Sequence, residues 1–492
     1  MTKKPLFSIP NEVSRVTKSL ESAGFEAFLV GGCVRDLLLN KKPKDWDITT
    51  NARPEQIEEL FEDTFYENNY GTVGVVNKDT EDQTLKIVEV TPYRIEGMYS
   101  DSRRPDSVLF SNNLEDDLKR RDFTINAIAY HAVKGDLVDP YGGQDDIDSC
   151  VIRAVGNPVE RFKEDALRIL RAIRLSAELN FAIEPSTTEA IVKYVAQLSH
   201  ISKERIRDEF IRILLSNEPM TALGVAHKLG ILQYVIPDIE RGIGVDQNQA
   251  HSYDVFEHNL RTLQHAADKK WSLDLRLAGL FHDVSKPETR RWSDEKKDWT
   301  FHGHEVVGAR IANKILKDLK FPKETVEKVT KLVRWHMFFS DPDQITLSAV
   351  RRTIRNVGRE NIEDLLDLRI CDRIGTGRPK EQPFRFRKYK SMVEEAMRDP
   401  ITVGMLKING GHLMEVTKEK PGPKIGFTLH ALLEEVLDDP TKNTTEYLEK
   451  RSLELITLPI EELKIRGEKG REKRELAEEV EIQKLRDKYW VK

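Results

Sequence analysis

A short stretch near the N-terminus constrains the fold most, because it combines a glycine pair with two closely spaced carboxylates. An apolar run over residues 25–30 predicts a β-strand that ends at Gly31 and Gly32. Glycines after a strand let backbone N–H groups face a phosphate with no side chain in the way. Asp45 and Asp47 lie on the next predicted strand, where alternate side chains share one face. Paired carboxylates suit Mg²⁺, so the stretch predicts a site for phosphoryl or nucleotidyl transfer.

The order and spacing of these groups are more specific than either motif alone. The pattern resembles the nucleotidyltransferase head of the CCA-adding enzymes and related bacterial poly(A) polymerases. The residues that carry the resemblance are Gly31, Gly32, Arg35, Asp45 and Asp47. The resemblance implies an α+β chain: a polymerase-β-like head with a mixed sheet, then a mostly α-helical neck, body and tail. It also implies that the two aspartates hold catalytic Mg²⁺ and that the glycines and Arg35 bind the triphosphate.

Further residues of the same region are candidates for this site. A later predicted strand carries Glu89, which is either a third acidic member of the metal site or an ordinary surface glutamate. Acidic and basic residues within residues 114–129 can form helical ion pairs on a solvated face. This segment also resembles the family motif for the ribose and triphosphate, which implies nucleotide contacts by Arg121, Asp122 and Asn126. Arg205, on a later amphipathic helix, is a further nucleotide-site candidate.

A predicted helix over residues 159–179 contains a carboxylate–arginine motif that can select a base. Glu164 and Asp165 precede Arg168 by four and three residues, so these groups can meet over one helical turn. A salt-bridged helix surface is the ordinary alternative. Cytosine and adenine present an amino donor beside a ring-nitrogen acceptor, which a carboxylate next to a guanidinium complements, whereas uracil and guanine do not. The resemblance implies that Asp165 and Arg168 read the base, with Glu164 and Arg171 beside them.

A second group of chemistry-bearing residues begins near residue 251 and mixes histidines with aspartates. Single helical histidines are usually core or surface residues, but several together with carboxylates suit Mg²⁺ or a divalent transition metal. The pattern resembles an HD phosphohydrolase domain, which implies a ligand set of His258, His282, Asp283, His304, His336 and Asp372. Ser285 stands where relatives usually carry glycine, so the domain is either an active phosphohydrolase or a retained scaffold.

A basic segment over residues 375–390 alternates cations with aromatic rings, which suits RNA contact, although a basic linker over an acidic neighbour explains it equally well. The RNA-contact candidates are Arg378, Arg385, Arg387 and Lys388. We expect a head at residues 1–150, a neck at 151–240, an HD domain at 241–392, a tRNA-binding tail at 393–460 and a charged helix at 461–492.

Composition limits the remaining choices. The 78 basic and 83 acidic residues give a net charge of −5, so any RNA affinity must come from local patches. Cys33, Cys150 and Cys371 lack disulfide or metal spacing, which fits a reducing cytoplasm. No apolar run approaches the roughly 20 residues that a bilayer requires, so we expect a cytoplasmic protein without membrane contact. The sequence does not indicate the oligomeric state.

The resemblance predicts an enzyme that adds C, C and A to the 3′ end of tRNA from CTP and ATP, with no nucleic-acid template. A poly(A) or A-adding polymerase is the alternative within the class, because its motifs overlap these heavily. An HD phosphohydrolase with an RNA-binding head is the alternative from another class. A purely structural RNA chaperone would leave both predicted metal-ligand sets without a role.

Overall fold

The structure is a computed structural model and describes residues 6–66, 71–96, 108–248, 251–338 and 345–468. The chain divides into two compact units, Met1–Val235 and Ile236–Lys492. This division falls near the expected border between neck and HD domain, and the finer domain borders stay predictions. Within the described ranges, no helix combines the length and the apolar character that crossing a bilayer requires.

The first unit contains a mixed sheet, as the sequence predicts. In its described part, seven strands are ordered β3-β4-β5-β2-β1-β8-β9, with β2 and β5 parallel and the other neighbours antiparallel. The strands of this sheet are β1 Ala27–Val30, β2 Asp47–Thr50, β3 Thr64–Tyr66, β4 Val73–Val76, β5 Ile87–Pro92, β8 Ala129–Tyr130 and β9 Leu137–Val138. Two short pairs stand apart from it: β6 Arg94–Glu96 with β7 Val108–Phe110, and β10 Val151–Ile152 with β11 Ala182–Ile183.

Helices cover the sheet and form the rest of the first unit. Val30 of β1 and Ala129 of β8 pack against Leu118 of the fourth helix in a buried cluster. The helices are α1 Asn11–Ser22, α2 Gly32–Leu38, α3 Pro54–Leu60, α4 Leu114–Lys119, α5 Gly143–Asp148, α6 Pro158–Glu164, α7 Leu167–Leu179, α8 Pro185–Tyr194, α9 Lys203–Leu215, α10 Pro219–Lys228 and α11 Leu232–Val235, with 3₁₀ turns at Thr124–Asn126 and Val195–His200.

Two local predictions are wrong in ways that matter for the site. The strand expected to hold both aspartates starts at Asp47, so Asp45 lies in the bend before it. The helix expected over residues 159–179 is two helices, α6 and α7, because Asp165 adopts an extended backbone with φ −144° and ψ 105°. The Asp165 side chain accepts a hydrogen bond from Leu167 N at 3.0 Å, which satisfies an unpaired donor at the start of α7.

The second unit is mostly helical in its described part. Its core pairs α13 with α14 and α19, and α17 with α14 and α16. The helices are α12 Pro237–Glu240, α13 Val255–Asp268, α14 Leu273–Phe281, α15 Lys286–Thr289, α16 His304–Asp318, α17 Lys323–Trp335, α18 Leu347–Val357, α19 Ile362–Gly375, α20 Phe384–Ala396, α21 Gly410–Thr417, α22 Pro423–Asp438, α23 Thr445–Leu455 and α24 Ile460–Glu468. A hairpin of β12 Arg291–Ser293 and β13 Asp298–Thr300 lies between α15 and α16, and 3₁₀ turns cover Arg359–Asn361, Val403–Met405 and Pro440–Lys442.

The C-terminal helices pack on one another. α18 packs against both α20 and α22, and α24 packs against α22. Arg351 of α18 donates to Asp399 at 2.7 Å, so a charged contact crosses the expected border at residue 392. Leu463 of α24 is fully buried, which ties the start of the expected charged helix to the preceding helices. The rest of that helix, residues 469–492, lies outside the described residues.

Candidate active site and candidate metal centre

The first candidate site lies where β1, β2 and β5 run side by side. Asp47 begins β2, and Glu89 of β5 is its direct partner in the parallel pairing. Gly31 follows β1 with a φ of +79°, a backbone conformation that favours glycine. A Cβ atom at Gly31 would lie 3.0 Å from Arg121 Nη1 and 3.4 Å from Asp47 Oδ2. The fold therefore brings the glycine turn, the aspartate and the arginine together, and leaves no room for a side chain between them.

The electrostatics at Asp47 favour a bound cation. Burial raises the pKa of Asp47 to about 6; Arg121 opposes this shift, and Asp45 adds to it. A carboxylate that is costly to ionise in this setting gains stability when a divalent cation binds beside it. The oxygen donors of Asp45 and Asp47, with Glu89 in register, fit the hard-cation preference of Mg²⁺.

A hydrogen-bonded chain connects the glycine turn with the neck helix α7. Arg35 Nη1 donates to Asn126 Oδ1 at 2.8 Å, and Asn126 Nδ2 donates to Asp122 Oδ1 at 3.2 Å. Asp122 Oδ2 accepts from Arg171 Nε at 2.7 Å. Burial acts to raise the pKa of Asp122, but Arg171 outweighs it and holds that pKa below its ordinary value. Four of the predicted nucleotide-binding residues thus form one network, in which Asp122 positions its neighbours.

Arg121 is held by a residue that the sequence did not single out as functional. Asp117 Oδ2 lies 2.9 Å from Arg121 Nη2, and Asp117 Oδ1 lies 2.6 Å from Arg120 Nη2. The ion pairs have the expected helical spacing, but the Asp117 side chain is fully buried, so the solvated-face alternative is wrong. Burial opposes ionisation of Asp117, yet Arg120 and Arg121 lower its pKa to about 2. Asp117 therefore orients Arg121 towards Asp47.

The predicted base-reading residues are joined by a backbone hydrogen bond, from Arg168 N to Asp165 O at 3.1 Å, but their side chains bind different partners. Asp165 Oδ2 accepts from Arg205 Nη2 at 2.6 Å, whereas Arg168 Nη1 donates to Glu164 Oε2 at 2.5 Å. Arg168 also donates to the backbone carbonyl of Arg120 at 3.0 Å. The break between α6 and α7 explains the difference, because it removes Asp165 from the helical face that carries Glu164 and Arg168. Each base-reading side chain is thus fixed by its own partner.

The second candidate site is a buried cluster that contains all six predicted HD ligands. His258 lies on α13, His282 and Asp283 follow α14, His304 begins α16, His336 follows α17 and Asp372 lies on α19. Because five helices pack around this point, side chains far apart in sequence meet there. Each of the six side chains is at most 10% exposed.

The cluster has two halves that share Asp283. The Nε2 atoms of His258 and His282 lie 3.0 Å apart, and those of His304 and His336 lie 3.2 Å apart. Asp283 Oδ2 lies 3.1 Å from His258 Nε2, and Asp283 Oδ1 lies 3.2 Å from His304 Nε2. Asp372 Oδ1 lies 3.4 Å from His258 Nε2 and completes the first half.

Hydrogen bonds around the cluster orient its ligand atoms. The Nδ1 atoms of three histidines face backbone carbonyl oxygens at 2.6–2.8 Å, and those carbonyls accept their protons, in the pairs His282–Gly279, His304–Phe301 and His336–Val333. This arrangement leaves each Nε2 turned into the cluster, as in metal-bound histidine. Asp283 Oδ1 is buried and accepts no hydrogen bond, which is costly unless a cation binds it. The donor set therefore fits a divalent metal.

Charged neighbours shift the pKa values of the groups in the cluster. Burial alone would lower the pKa of His282, but Asp283 beside it raises that pKa to about 9. Asp283 and Asp372 are buried, which acts to raise their pKa values. His282, Lys286 and His258 together hold the pKa of Asp283 well below its ordinary value. Arg369, His282 and His258 together do the same for the pKa of Asp372. A metal that binds here displaces the His282 proton, so metal affinity depends on pH.

The structure adds two residues to the cluster and explains the unusual serine. Lys286 Nζ lies 2.5 Å from Asp283 Oδ2 and donates to Gln247 Oε1 at 2.6 Å. His251 has ligand atoms near those of His258 and Asp283, within 4.8 Å. The signals were present in the sequence, since Lys286 lies one helical turn after Asp283 and His251 opens the histidine series. Ser285 is buried and donates to the His304 carbonyl at 2.6 Å, so it supports a ligand residue.

The basic segment divides into two groups. Arg378 and Arg385 line a cavity above the metal-ligand cluster, whereas Arg387 and Lys388 are exposed on α20 outside the cavity lining. Two of its aromatic residues are core residues: Phe386 and Tyr389 are 6% and 0% exposed, so the expectation that they stack on RNA is wrong. Phe384, which is 70% exposed, is the aromatic residue of this segment that stays available.

The chain matches three known protein families. The family described as Poly A polymerase head domain matches residues 27–153. The family described as probable RNA and SrmB-binding site of polymerase A matches residues 180–243, and the HD domain family matches residues 255–377. The matches cover the glycine turn, the paired aspartates, α9 and the histidine cluster.

Solved structures share this fold along most of the chain. A structure of the Bacillus stearothermophilus CCA-adding enzyme in complex with CTP has a TM-score of 0.66 and 27% identity, and covers 91% of this chain and 98% of that chain. The Thermotoga maritima CCA-adding enzyme complexed with tRNA has a TM-score of 0.53 at 20% identity, and covers 90% of this chain and 95% of that chain. At that identity the likeness shows the fold alone.

Curated relatives agree with the structures. The CCA-adding enzyme of Enterococcus faecalis is 43% identical over 244 residues, which cover 49% of this chain and 58% of that protein. The CCA-adding enzyme of Geobacillus thermodenitrificans is 30% identical over 88% of this chain and 93% of its own length. That of Streptococcus thermophilus is 31% identical over 89% of this chain and 96% of its own length. Since these two alignments run through nearly the whole of each relative, the chain belongs to the family of CCA-adding enzymes.

Proposed function

We propose that this chain adds C-C-A to the 3′ end of tRNA from CTP and ATP, with Asp45 and Asp47 as the Mg²⁺ ligands and Glu89 beside them. The observation that carries the proposal is the close approach of Asp47 and Arg121 to Gly31. A Cβ atom built at Gly31 would lie 3.0 Å from Arg121 Nη1 and 3.4 Å from Asp47 Oδ2. In-line nucleotidyl transfer needs carboxylates, a phosphate-accepting backbone and a fixed cation at one point, and this arrangement provides all three.

Each residue has a separate task in the proposed reaction. The glycine turn keeps side chains away from the triphosphate, and Arg121, oriented by Asp117, offers its positive charge to the phosphates. Arg35, oriented by Asn126, lies next to the same turn. Mg²⁺, when bound, supplies activation of the terminal ribose hydroxyl and neutralises the leaving pyrophosphate. The protein therefore acts mainly by positioning the nucleotide and stabilising charge.

Base selection follows from the two fixed side chains of the neck. Asp165 accepts hydrogen bonds and Arg168 donates them, which complements the amino and ring-nitrogen groups shared by cytosine and adenine. Arg205 and Glu164 hold these side chains before a base arrives, so little conformational entropy is lost on binding. We place both selections at this one pair, while Arg171 positions Asp122.

A product analysis tests this proposal. Purified protein and Mg²⁺ are incubated with tRNA transcripts that end before CCA, after the first C, and after both Cs, with CTP, ATP or both. Products that stop at C-C-A with both nucleotides support the proposal. Addition of A to the C-C transcript alone, or a growing A tail, would instead identify an A-adding or poly(A) polymerase.

We also propose that the HD cluster is a metal-dependent phosphohydrolase centre, because a specific observation favours it: Asp283 presents one oxygen to each of two histidine pairs. Imidazole and carboxylate donors together suit a divalent transition metal such as Mn²⁺, Co²⁺ or Ni²⁺ better than Mg²⁺. The test is hydrolysis of p-nitrophenyl phosphate by metal-free protein to which each ion is returned. No activity with any ion would point to a retained scaffold.

The remaining contacts are proposed on smaller grounds. Arg387 and Lys388 are exposed cations on α20 and stay candidates for RNA contact. The three cysteines are unpaired, which agrees with a reducing compartment, and we place the reaction in the cytoplasm.

A further inference from the structure

The HD ligand cluster opens into a cavity of about 1110 Å³. Asp283, His304, His336 and Asp372 lie on its wall, so a molecule in the cavity reaches the metal ligands directly. The volume lies just above the usual range for small-molecule sites, which is about 300–1,000 Å³. A single phosphate group beside a metal needs only a small part of this space. The cavity therefore has room for a substrate that extends well beyond the reacting phosphate.

The charges of the cavity wall favour a polyanion. Among the described lining residues, the cations are Lys286, Lys296, Arg369, Arg373, Arg378 and Arg385, and they outnumber the four carboxylates. This excess exists before any metal binds, and it contrasts with the net charge of −5 for the whole chain. A concave surface that collects positive charge in an acidic protein concentrates anionic ligands.

The cations of the wall differ in burial. Lys286 is buried and lies 2.5 Å from Asp283, and Arg369 lies 2.6 Å from Asp372, so these two contact the ligand carboxylates. Arg378 follows α19, and Arg385 lies in the first turn of α20. Both are exposed, and they line the same cavity as Phe384.

We propose that Arg378 and Arg385 are substrate-binding residues of the HD cavity. They bind a second phosphate group of a phosphate ester, in addition to the phosphate that reacts. The inference rests on the phosphohydrolase activity proposed above and reassigns these two arginines from tRNA to that site. Guanidinium groups suit this role because they bind phosphate oxygens in a fixed fork. The substrate class is a phosphate ester that carries further phosphate groups.

The test compares a ligand with one phosphate and a ligand with several. Hydrolysis of p-nitrophenyl phosphate is measured with Mn²⁺ in excess, and inorganic tripolyphosphate is added as a competitive inhibitor. We expect Arg378→Ala and Arg385→Ala each to raise the inhibition constant of tripolyphosphate by about tenfold, the effect of one lost charge-assisted hydrogen bond. The kcat for p-nitrophenyl phosphate should change less than the inhibition constant, since that substrate carries only the reacting phosphate. Arg385→Lys should recover part of the inhibition.

Arg398→Ala is the matched control, because Arg398 is an exposed arginine that follows the same helix and lies outside the cavity wall. It should leave both constants unchanged. The tRNA affinities of Arg378→Ala and Arg385→Ala, measured by filter binding, should equal that of the unaltered protein. An unchanged inhibition constant, or a loss of tRNA affinity with hydrolysis intact, overturns the proposal in favour of an RNA contact.

A separate measurement applies if the unaltered protein hydrolyses nothing, which would defeat the phosphohydrolase proposal itself. Calorimetric titration of Mn²⁺-loaded Asp47→Asn protein with tripolyphosphate then reports binding without the head metal site. Addition of Arg385→Ala to this variant should weaken the binding about tenfold. Equal binding of tripolyphosphate by the two proteins overturns the assignment of Arg385 to phosphate binding.

Discussion

The two candidate metal sites of this chain are built in opposite ways. In the HD cluster the ligand side chains are at most 10% exposed and the Nε2 atoms of each histidine pair are 3.0–3.2 Å apart. In the head, Asp45 is exposed, and Asp47 and Glu89 are partly exposed. Among the described residues, the sets of three ligand groups within 4.8 Å all belong to the HD cluster. The HD cluster is thus compact and buried, whereas the head site is more open.

The difference follows from the elements that carry the ligands. Helices α13, α14, α16, α17 and α19 each contribute to the HD core, so their packing fixes the ligands from several directions. The head carboxylates lie on β2, on β5 and in the bend before β2, on one side of a sheet, where one side of the site faces solvent. An open site lets a nucleotide bring phosphate oxygens to the same metal. We therefore expect substrate oxygens to complete the head site and the packed helices to position the HD ligands.

The largest expected effect comes from removal of a head carboxylate. Asp47→Ala should lower the rate of nucleotide addition to tRNA by more than about 10³-fold, because it deletes a metal ligand and leaves Arg121 next to an empty position. Hydrolysis of p-nitrophenyl phosphate should not change. Asp63→Ala is the matched control, since Asp63 is a more exposed aspartate of the same unit, paired with Lys78. Equal loss of both activities in Asp47→Ala would contradict the separation of the sites.

The next-largest effect is expected at the HD cluster. Asp283→Asn should remove the tightly bound metal and the hydrolytic activity, while C and A addition continues. A metal at 100 times its dissociation constant stabilises the folded state by about 2.7 kcal/mol, so a chelator should lower the stability of the second unit by about that amount. Metal content by elemental analysis and chemical denaturation of the full chain measure both effects. A chelator that leaves denaturation unchanged would mean that the cluster is filled by protons alone.

Base selection should respond more moderately. Asp165→Ala removes the acceptor for the amino groups of cytosine and adenine, and we expect selectivity for CTP over UTP to fall about tenfold, the effect of one hydrogen bond to a charged group. The ratio of kcat/KM values for the two nucleotides measures this. Glu178→Ala, which removes an ion pair with Arg212 on the neck surface, should leave the ratio unchanged. Unaltered selectivity in Asp165→Ala would assign base reading to other residues.

The same contrast explains what the sequence could and could not predict. The mixed sheet and the family were predictable, because the glycine turn and the paired aspartates are local motifs with a short spacing. The six HD ligands were predictable from the resemblance, and the structure brings all of them together. Local spacing failed at the Asp165–Arg168 pair, because an extended residue breaks the helix there and Arg205 takes the carboxylate.

The sequence also could not predict contacts between residues on distant elements. Asp117 was visible only as a residue of a surface helix, and its burial beneath two arginines depends on how α4 packs against the sheet. Phe386 and Tyr389 had the spacing of stacking residues, but the helix turns them into the core, where Tyr389 stacks on Phe338. Packing between elements therefore decided which charged and aromatic residues reach the sites.

The smallest predicted effect is a pH dependence of the head reaction. Burial raises the pKa of Asp47 to about 6, Arg121 opposes the shift, and Asp45 and Asp117 support it. Below that pH the carboxyl group is protonated and does not bind Mg²⁺, so kcat/KM for nucleotide addition should fall about twofold between pH 7 and pH 6. Because Mg²⁺ and the proton compete, a tenfold higher Mg²⁺ concentration should move the midpoint to lower pH. The profile is measured from pH 5.5 to 8 at two Mg²⁺ concentrations. A midpoint that ignores Mg²⁺ would show that another group controls the rate, and would remove the argument that the open site is completed by its ligand.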